Sequence, residues 1–480
     1  MFDANSSDEL HLLSVADAAA VIRDGSLDAV VYATALLRRS RQRSDLRAFI
    51  TFAEASILEA AHAADLHRKS NRPMGPLHGV PIAIKDSIST RGIATSLGTK
   101  VLAGFRPEHD ASIIATMKAA GAIVFGKNNL VEMSYGLTGA NAHFGQAKNP
   151  YDKMRVTGGS SSGAGASVAA MLVPAAVGGD TVGSIRVPSS LCGVVGFRPT
   201  TGRWPSAGVA PISHTLDTLG PMARTVEDCM ILDGVVTGAV HTMLTSERGL
   251  EGVRIGYAPK QHLDLVDADV ERVFKVTSEK LRGAGAKLIE VDLGDDFMPL
   301  AVQANWPIFR HETLPDIKEY LSGNNVPVTF EQIYEGLGEN VRASWNHAVL
   351  PNSPNYITKE TYLQSLKVYR PLLQKRFAES YRAYGIEALV FPTTPAIAPP
   401  ISANSEITIA GQVVNILTIG KNVFASSCAA LPGITLPIGL SAEGMPIGME
   451  IDGNPHGDVE LLSLASRISS IIGKIPGPTN

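Results

Sequence analysis

Two patterns of apolar and polar positions follow one another along the chain. Up to about residue 70, apolar residues recur every three or four positions, which predicts three amphipathic helices. Ser14 can cap the first helix and Gly25 would end it, Ser26 can cap a second helix that runs through Arg43, and a third covers 52–69.

From Val80 onwards, short apolar runs bounded by Gly or Pro replace this pattern, as is typical of strands covered on both faces. Helical segments separate the runs, and this alternation predicts an α/β sheet. The predicted strands are 80–84, 122–125, 253–257, 287–291, 388–391, 433–437 and 446–451, and the helices between and after them are 111–120, 268–284 and 458–472.

Residues 295–385 break the alternation, because aromatic residues gather there in helical or irregular contexts. One interpretation is the core of an inserted helical lobe. The other is an aromatic-lined substrate pocket, and a helical insertion over the edge of a sheet could serve both purposes. Since no repeat and no Pro-rich linker divides the chain, we predict one domain over 1–480.

Composition narrows the possible classes of protein. The net charge of −4, without a Lys/Arg cluster, does not favour nucleic-acid binding. No apolar run reaches membrane-spanning length, and the acidic start is unlike a secretory signal, so we expect a cytoplasmic protein that binds no membrane. Three cysteines predict no disulfide framework, and no Cys/His cluster has zinc spacing, so no metal and no cofactor are implied.

One stretch, 157–198, carries two serine clusters, Ser160–Ser162 and Ser184. Its Gly/Ser content is typical of a flexible linker. The interior, 164–177, is instead almost entirely small and apolar, which predicts a buried helix running into a strand. Glycines around a buried unit indicate close approach of the backbone to another group.

A serine hydroxyl needs a base to become a good nucleophile, and Lys85 is a candidate. It follows the apolar run 80–84, and burial lowers the pKa of a lysine. The alternative is a surface lysine paired with Asp86. The pattern Gly-x-Ser161-x-Gly also fits a nucleophile elbow, but an elbow needs a preceding strand and 151–155 is polar.

The segments GGSSSG and GGDTVGSIRVP resemble the amidase signature family of serine amidohydrolases. HGVPIAIKD resembles that family's lysine strand, and further matches cover 121–134, 144–150, 431–440 and 444–451. The resemblance implies a single large mixed β-sheet flanked by helices, with a helical insertion near 295–385. Residues 240–385 match nothing recognisable and are predicted to be a variable segment that shapes the substrate pocket.

The resemblance also implies a catalytic triad. Lys85 would be the base, Ser160 a bridging serine that follows a cis peptide bond at 159–160, and Ser184 the nucleophile. Ser161 would support the loop that carries these serines.

The turn at 178–183 would supply backbone N–H groups that stabilise an oxyanion. The predicted donors are Thr181, Val182, Gly183 and Ser184, and the loop would be held by Asp180 and Arg186. Val182 stands where the family commonly has Gly, which predicts a narrower or more apolar pocket. Tyr135 and Gly136 would line the acyl side, although Tyr135 alone also fits a core tyrosine.

The family contains free-standing amidases, glutaminase subunits of tRNA-dependent amidotransferases, and hydrolases of ureas and carbamates. A glutaminase must recognise the ammonium and carboxylate groups of glutamine, and the family's amidotransferase subunits have an acidic residue for this shortly before the LPGI-like strand. Residues 407–442 of this chain contain no Asp or Glu. The segment 196–228 is most similar to indoleacetamide and mandelamide hydrolases. We therefore expect an amidase that acts on a small, mostly uncharged aryl or arylalkyl carboxamide, anilide or carbamate.

Two alternatives stay open: a glutaminase subunit, and a non-catalytic assembly subunit that keeps the fold. The expected partner is a small-molecule amide substrate. The sequence does not fix the oligomeric state, for which a homodimer is one candidate.

Overall fold

The structure is a computed structural model that describes residues 9–70, 72–241, 249–403 and 405–479. Its strands are β1 (Phe49–Thr51), β2 (Pro81–Lys85), β3 (Ile123–Asn128), β4 (Ala175–Asp180), β5 (Val195–Arg198), β6 (Thr218–Ala223), β7 (Arg254–Tyr257), β8 (Lys287–Glu290), β9 (Ala388–Pro392), β10 (Glu406–Ile409), β11 (Gln412–Asn415), β12 (Gly433–Leu440) and β13 (Pro446–Gly453).

The α-helices are α1 (Val15–Asp24), α2 (Ala29–Gln42), α3 (Glu54–Lys69), α4 (Ser112–Ala119), α5 (Ser162–Ala169), α6 (Arg186–Cys192), α7 (Val226–Thr237), α8 (Pro259–His262), α9 (Ala268–Gly283), α10 (Phe297–Gly323), α11 (Phe330–Gly336), α12 (Glu339–Ala348), α13 (Lys359–Gln364), α14 (Arg370–Tyr384), α15 (Phe424–Cys428) and α16 (Asp458–Ile472). None of the helices in the described residues is both long and apolar enough to cross a membrane.

Within the described residues, eleven strands form one sheet in the order β1-β3-β2-β4-β6-β5-β12-β13-β9-β7-β8, and β10 and β11 form a separate hairpin. β2 is parallel to both β3 and β4, and β7 is parallel to both β8 and β9. The remaining pairs are antiparallel. The prediction of a large mixed sheet flanked by helices is confirmed.

The parallel pair β2 and β4 positions the serine-rich stretch against the lysine strand. Ile84 lies opposite Val177, and every residue of β2 is buried. Because the carboxyl ends of parallel strands meet at the same edge of a sheet, Lys85 comes to lie beside Gly179, where β4 ends. The helix α5 and the strand β4 confirm that 164–177 is a buried unit and not a linker.

Most predicted elements are present within a few residues of their predicted bounds, and Ser14 caps α1 as expected. The predicted cap of the second helix is wrong. α2 begins at Ala29 and not after Ser26, because the buried carboxylate of Asp65 on α3 accepts hydrogen bonds from the Ala29 and Val30 amides. A side chain from another helix thus does the work expected of a local cap.

The segment 295–385 is helical, as expected, and comprises α10 to α14. α10 continues through Pro307, which has no N–H to donate to the Gln303 carbonyl. The Ser365 hydroxyl donates to that carbonyl instead, at 2.8 Å. Contact with a neighbouring segment therefore keeps this long helix intact.

The aromatic residues of this insertion divide between the two interpretations. Trp345 is fully buried and its ring stacks on Phe330, so these two residues belong to a core. Trp306 and Phe309 lie on α10 and line a large cavity. Core packing and pocket lining therefore apply to different residues of one insertion.

Candidate active site

Lys85, the last residue of β2, is in direct contact with Ser160. Lys85 Nζ lies 2.7 Å from Ser160 Oγ and 3.3 Å from the Gly179 carbonyl oxygen. The peptide bond between Gly159 and Ser160 is cis. Both side chains are buried, so the alternative of a surface lysine paired with Asp86 is wrong. Asp86 lies instead 3.6 Å from Lys127.

The surroundings of Lys85 favour its neutral form. Burial lowers the pKa of the Lys85 ammonium to about 7, against the opposing effect of the Asp217 and Asp180 charges. A lysine with this pKa is largely neutral in mildly alkaline solution, and a neutral amine can accept a proton. The site therefore contains a base that can work near neutral pH.

Ser184 lies just before α6 and lines the large cavity. Among the described residues, the Ser184 hydroxyl has no hydrogen-bond partner, and in particular no hydrogen bond joins it to Ser160. The backbones of the two serine segments are nevertheless connected, because the Ser161 N–H donates to the Ser184 carbonyl at 3.1 Å. Catalytic hydrogen bonds are often long or absent before substrate binds, so a free hydroxyl in this position is available for chemistry.

The loop before Ser184 is held by the Asp180 carboxylate. Asp180 accepts hydrogen bonds from the Gly183 amide at 2.8 Å and from the Ile185 amide at 3.1 Å. Gly183 has a φ of +121°, and a Cβ there would lie 2.5 Å from Val423 Cγ2. Only glycine fits this turn without strain.

The predicted oxyanion donors fall into two groups. The Gly183 N–H donates to Asp180 and is already occupied in this structure. The N–H groups of Thr181, Val182 and Ser184 make no hydrogen bonds within the described residues. Val182 has a negative φ and its side chain lines the cavity. Three residues with unpaired N–H groups therefore line the same cavity, and Ser184 is one of them.

Behind this loop lies a fully buried charge network. Asp180 pairs with Arg186, whose Nε is 3.1 Å from the carboxylate, and with Arg198 at 2.8 Å. Burial would raise the pKa of Asp180, but the two guanidinium groups hold it well below its usual range. Arg186 also donates to the Val423 carbonyl and approaches Glu450. Sequence analysis predicted Asp180 and Arg186 here but not Arg198 or Glu450.

Ser161 is fully buried and faces the end of β4. Its hydroxyl donates to the Gly179 carbonyl at 3.1 Å and accepts from the Gly179 amide at 3.2 Å. In the described residues, no strand lies between 150 and Ser161, so the fold of a nucleophile elbow is absent there. Ser161 thus contacts both backbone polar groups of Gly179 at the end of β4, and its supporting role stays a prediction.

The large cavity has a volume of about 1010 Å³ and contains Ser184. Tyr135 and Gly136 line it, together with the aromatic side chains of Trp306, Phe309 and Phe424. The rings are in mutual contact: the centroids of Tyr135 and Phe309 are 5.1 Å apart, and those of Trp306 and Phe424 are 5.7 Å apart. An aryl group fits such a surface.

A second cavity, of about 340 Å³, lies against Lys85 and is lined by Asp217. The Asp217 carboxylate accepts hydrogen bonds from the Thr181 hydroxyl at 2.6 Å and from the Ile212 and Ser213 amides. Burial raises the pKa of Asp217 to about 6. Sequence analysis missed this residue, since its only local signal is a position next to β6.

Within the described residues, one group of side chains has the spacing of metal ligands: His214, Glu312 and Asp316. Their polar atoms are already engaged. Glu312 accepts hydrogen bonds from the Thr215 amide and hydroxyl and from the Tyr362 hydroxyl, and His214 Nδ1 lies 3.0 Å from Asp316. We interpret the group as a connection between the 213–215 loop and α10.

Comparison with known proteins matches this arrangement to one family. The family model described as Amidase matches residues 32–462. The chain belongs to the amidase family. It is 35% identical to a mandelamide hydrolase from Pseudomonas putida over 97% of this chain and 93% of the relative. It is 34% identical to an indoleacetamide hydrolase from Agrobacterium vitis over 85% and 87% of the two chains.

Other members of the amidase family are also similar. A glutamyl-tRNA(Gln) amidotransferase subunit from Chloroflexus aurantiacus is 34% identical over 95% of each chain. The structure of a peptide amidase from Stenotrophomonas maltophilia superposes with a TM-score of 0.80 at 27% identity, over 97% of this chain and 98% of the other. The predicted resemblance is confirmed, and this amidase is an amide hydrolase.

Proposed function

We propose that the protein hydrolyses a small, mostly uncharged aryl or arylalkyl carboxamide through an acyl intermediate on Ser184, with anilides and carbamates as further candidate substrates. The observation that carries the proposal is the 2.7 Å contact between Lys85 and Ser160 beside an unpaired Ser184 hydroxyl in an aromatic cavity. The similarity to hydrolases of mandelamide and indoleacetamide supports this class of acyl group.

In the proposed mechanism, neutral Lys85 accepts the proton of Ser160, and Ser160 takes the proton of Ser184. The Ser184 oxygen then attacks the amide carbonyl carbon. The resulting oxyanion accepts hydrogen bonds from the free N–H groups at 181, 182 and 184, each of which can lower the barrier by about 3 kcal/mol.

The tetrahedral intermediate collapses when the C–N bond breaks. The proton stored on Lys85 returns through Ser160 to the leaving nitrogen, so the product is a neutral amine or ammonia and an ester on Ser184. A water molecule then repeats the sequence: its proton passes to Lys85, its oxygen attacks the ester, and Ser184 regains its proton as the acid leaves.

A burst-phase assay on a panel of aryl amides and nitroanilides tests the proposal. We expect the wild type to release a burst of amine, and Ser184→Ala and Lys85→Ala to lose both the burst and turnover. Ser190→Ala is a matched control, since Ser190 is a buried serine on α6, the helix that follows Ser184, and its hydroxyl contacts Thr394 and not Lys85. Unchanged turnover in Ser184→Ala would contradict the nucleophile assignment and would favour Ser161.

The same assay separates the alternatives. Hydrolysis of glutamine only in the presence of a partner subunit would indicate the glutaminase subunit to which the chain is also similar. Absence of turnover on every amide, with or without partner, would indicate an assembly subunit. The ranking of the panel would identify the acyl group.

A further inference from the structure

One face of α10 lines the large cavity with residues of two kinds. Trp306, Phe309 and Arg310 all line it, at positions i, i+3 and i+4 of the helix. Residues at this spacing project from the same side of a helix. Arg310 is therefore the cation of an otherwise aromatic helix face, and its charge acts on the neighbouring Tyr135 hydroxyl.

Arg310 is half-buried, and within the described residues its guanidinium has neither a hydrogen-bond partner nor an ion pair. The other cation of this cavity, Lys421, is paired with Asp264. A partly buried charge without a partner loses hydration and gains nothing in return. Arg310 therefore offers this cavity hydrogen-bond donors that no group of the described residues uses.

The carboxylates that line the same cavity do not neutralise Arg310. Glu132 lies 2.9 Å from His143 and accepts a hydrogen bond from the Gly338 amide at 2.9 Å. Glu339 is exposed at the start of α12 and makes no ion pair with Arg310. The protein thus leaves one cation of its substrate cavity available to a ligand.

We propose that Arg310 binds a carboxylate carried by the acyl part of the substrate. The inference rests on the proposed function, because it takes this cavity to be the acyl site. Arginine only donates hydrogen bonds, and its planar fork matches a carboxylate with two parallel bonds. An aryl ring against Trp306 and Phe309 would present a carboxyl substituent to Arg310, and the preferred substrate is then an aryl acetamide that is uncharged except for this one carboxylate.

The size of the cavity agrees with this class of substrate. Ligand cavities usually measure about 300–1,000 Å³, and this one, at about 1010 Å³, lies at the upper end of that range. A single aryl ring with its amide leaves much of this volume unfilled. A substituent that extends past the ring toward α10 uses that volume.

The test compares carboxyphenylacetamides with nitrophenylacetamides at the ortho, meta and para positions, with phenylacetamide as the reference. A nitro group has nearly the shape of a carboxylate but no net charge, so each pair isolates the charge. We expect the wild type to hydrolyse one of the carboxyl compounds with a kcat/KM about 10- to 100-fold above its nitro partner.

Arg310→Met should bring the ratio of kcat/KM between the carboxyl compound and its nitro partner to about one, and Arg310→Lys should retain part of the preference. Arg282→Met is the matched control: it removes the same charge from the exposed face of α9 and should leave the preference intact. Thermal melts of each variant verify that it folds.

Two results would overturn the inference: no carboxyl compound exceeds its nitro partner in the wild type, or the preference survives Arg310→Met. If Arg310→Met does not fold, the wild-type ratios and Arg310→Lys still decide. Failure of the proposed function would give a different result, because phenylacetamide and the nitro compounds would then not be hydrolysed either.

Discussion

The cavity that contains Ser184 has two walls that are held in different ways. The catalytic wall is the loop 180–186, with the Lys85–Ser160 pair behind it, and the hydrogen bonds and ion pairs of the buried Asp180 carboxylate hold this loop. The insertion wall consists of the cavity-lining residues of α10 and α12, and aromatic contacts hold it. Polar networks specify one geometry, whereas apolar surfaces tolerate substitution of similar volume. The reaction and the substrate preference can therefore change independently.

The largest effect is expected at the catalytic wall from Asp180→Asn. The change leaves Arg186 and Arg198 buried with one carboxylate fewer, and it turns one of the two oxygens that accept from the Gly183 and Ile185 amides into a donor. Loss of one partner from a buried ion pair costs about 3–5 kcal/mol, so the free energy of unfolding should fall by this amount. We expect kcat to fall by at least about 100-fold, because the oxyanion donors lose their fixed positions.

Urea unfolding and steady-state kinetics measure both quantities. Asp296→Asn is the control, since it removes an exposed carboxylate 2.8 Å from Arg376, and exposed pairs contribute about 0–1 kcal/mol. Equal effects of the two substitutions would show that the catalytic wall is not held by its buried charges.

At the insertion wall, Trp306→Ala should change selectivity and leave the chemistry intact. Removal of a large aromatic contact should cost about 1.5–3 kcal/mol of binding, or about 10- to 100-fold in kcat/KM for phenylacetamide. Propionamide cannot reach a distant ring and should be affected much less. Tyr356→Ala is the control, because Tyr356 is an exposed aromatic residue of the same insertion. An equal loss for both amides would contradict a role in acyl recognition.

The pH dependence should report on Lys85. Because burial lowers the pKa of its ammonium to about 7 and the neutral amine is the base, kcat/KM should rise as the pH rises through about 7 and then level off. Below that pKa the rate should fall about tenfold per pH unit. The negative charge of Asp217 stabilises the ammonium form of Lys85, so Asp217→Asn should move the rising limb of the pH profile to lower pH.

Glu319→Gln is the matched control for this profile. Glu319 lines the same small cavity as Asp217, but no interaction connects it to Lys85. Glu319→Gln should therefore leave the rising limb of the pH profile at the same pH as in the wild type. A limb that does not move in Asp217→Asn would contradict the assignment of this limb to Lys85 or the influence of Asp217 on it.

Sequence reasoning succeeded where the signal is contiguous and failed where it is not. Lys85 follows its own apolar strand, and Ser160 and Ser184 bracket one buried unit, so short segments were sufficient to predict these elements, while the triad itself was implied by the family resemblance. Residues 212–217 and Glu312 are about a hundred positions apart, and their contact exists only after α10 has packed against this loop. No periodicity encodes such a contact.

The other residues whose roles the sequence did not predict also depend on contacts between distant parts of the chain. Asp65 caps α2 from another helix, Arg198 on β5 reaches Asp180 on β4 across β6, and Arg310 is distinguished by the cavity that it lines. Each of these residues acquires its role from residues distant in the chain. The predicted strands and helices, by contrast, depend on patterns within ten or twenty residues.

The smallest effect is expected from Glu312→Gln, at the contact between α10 and the 213–215 loop. Glu312 accepts hydrogen bonds from the Thr215 amide and hydroxyl and from the Tyr362 hydroxyl. Glutamine replaces one acceptor oxygen with a donor that faces other donors, which should cost about 1–3 kcal/mol of unfolding free energy. Because the residue contacts neither Ser184 nor the oxyanion donors, kcat should change by no more than about threefold. Glu335→Gln, on the exposed surface of α11, should change neither quantity. A loss of kcat in Glu312→Gln far beyond its loss of stability would mean that the insertion wall positions the catalytic wall, and the two could then not vary independently.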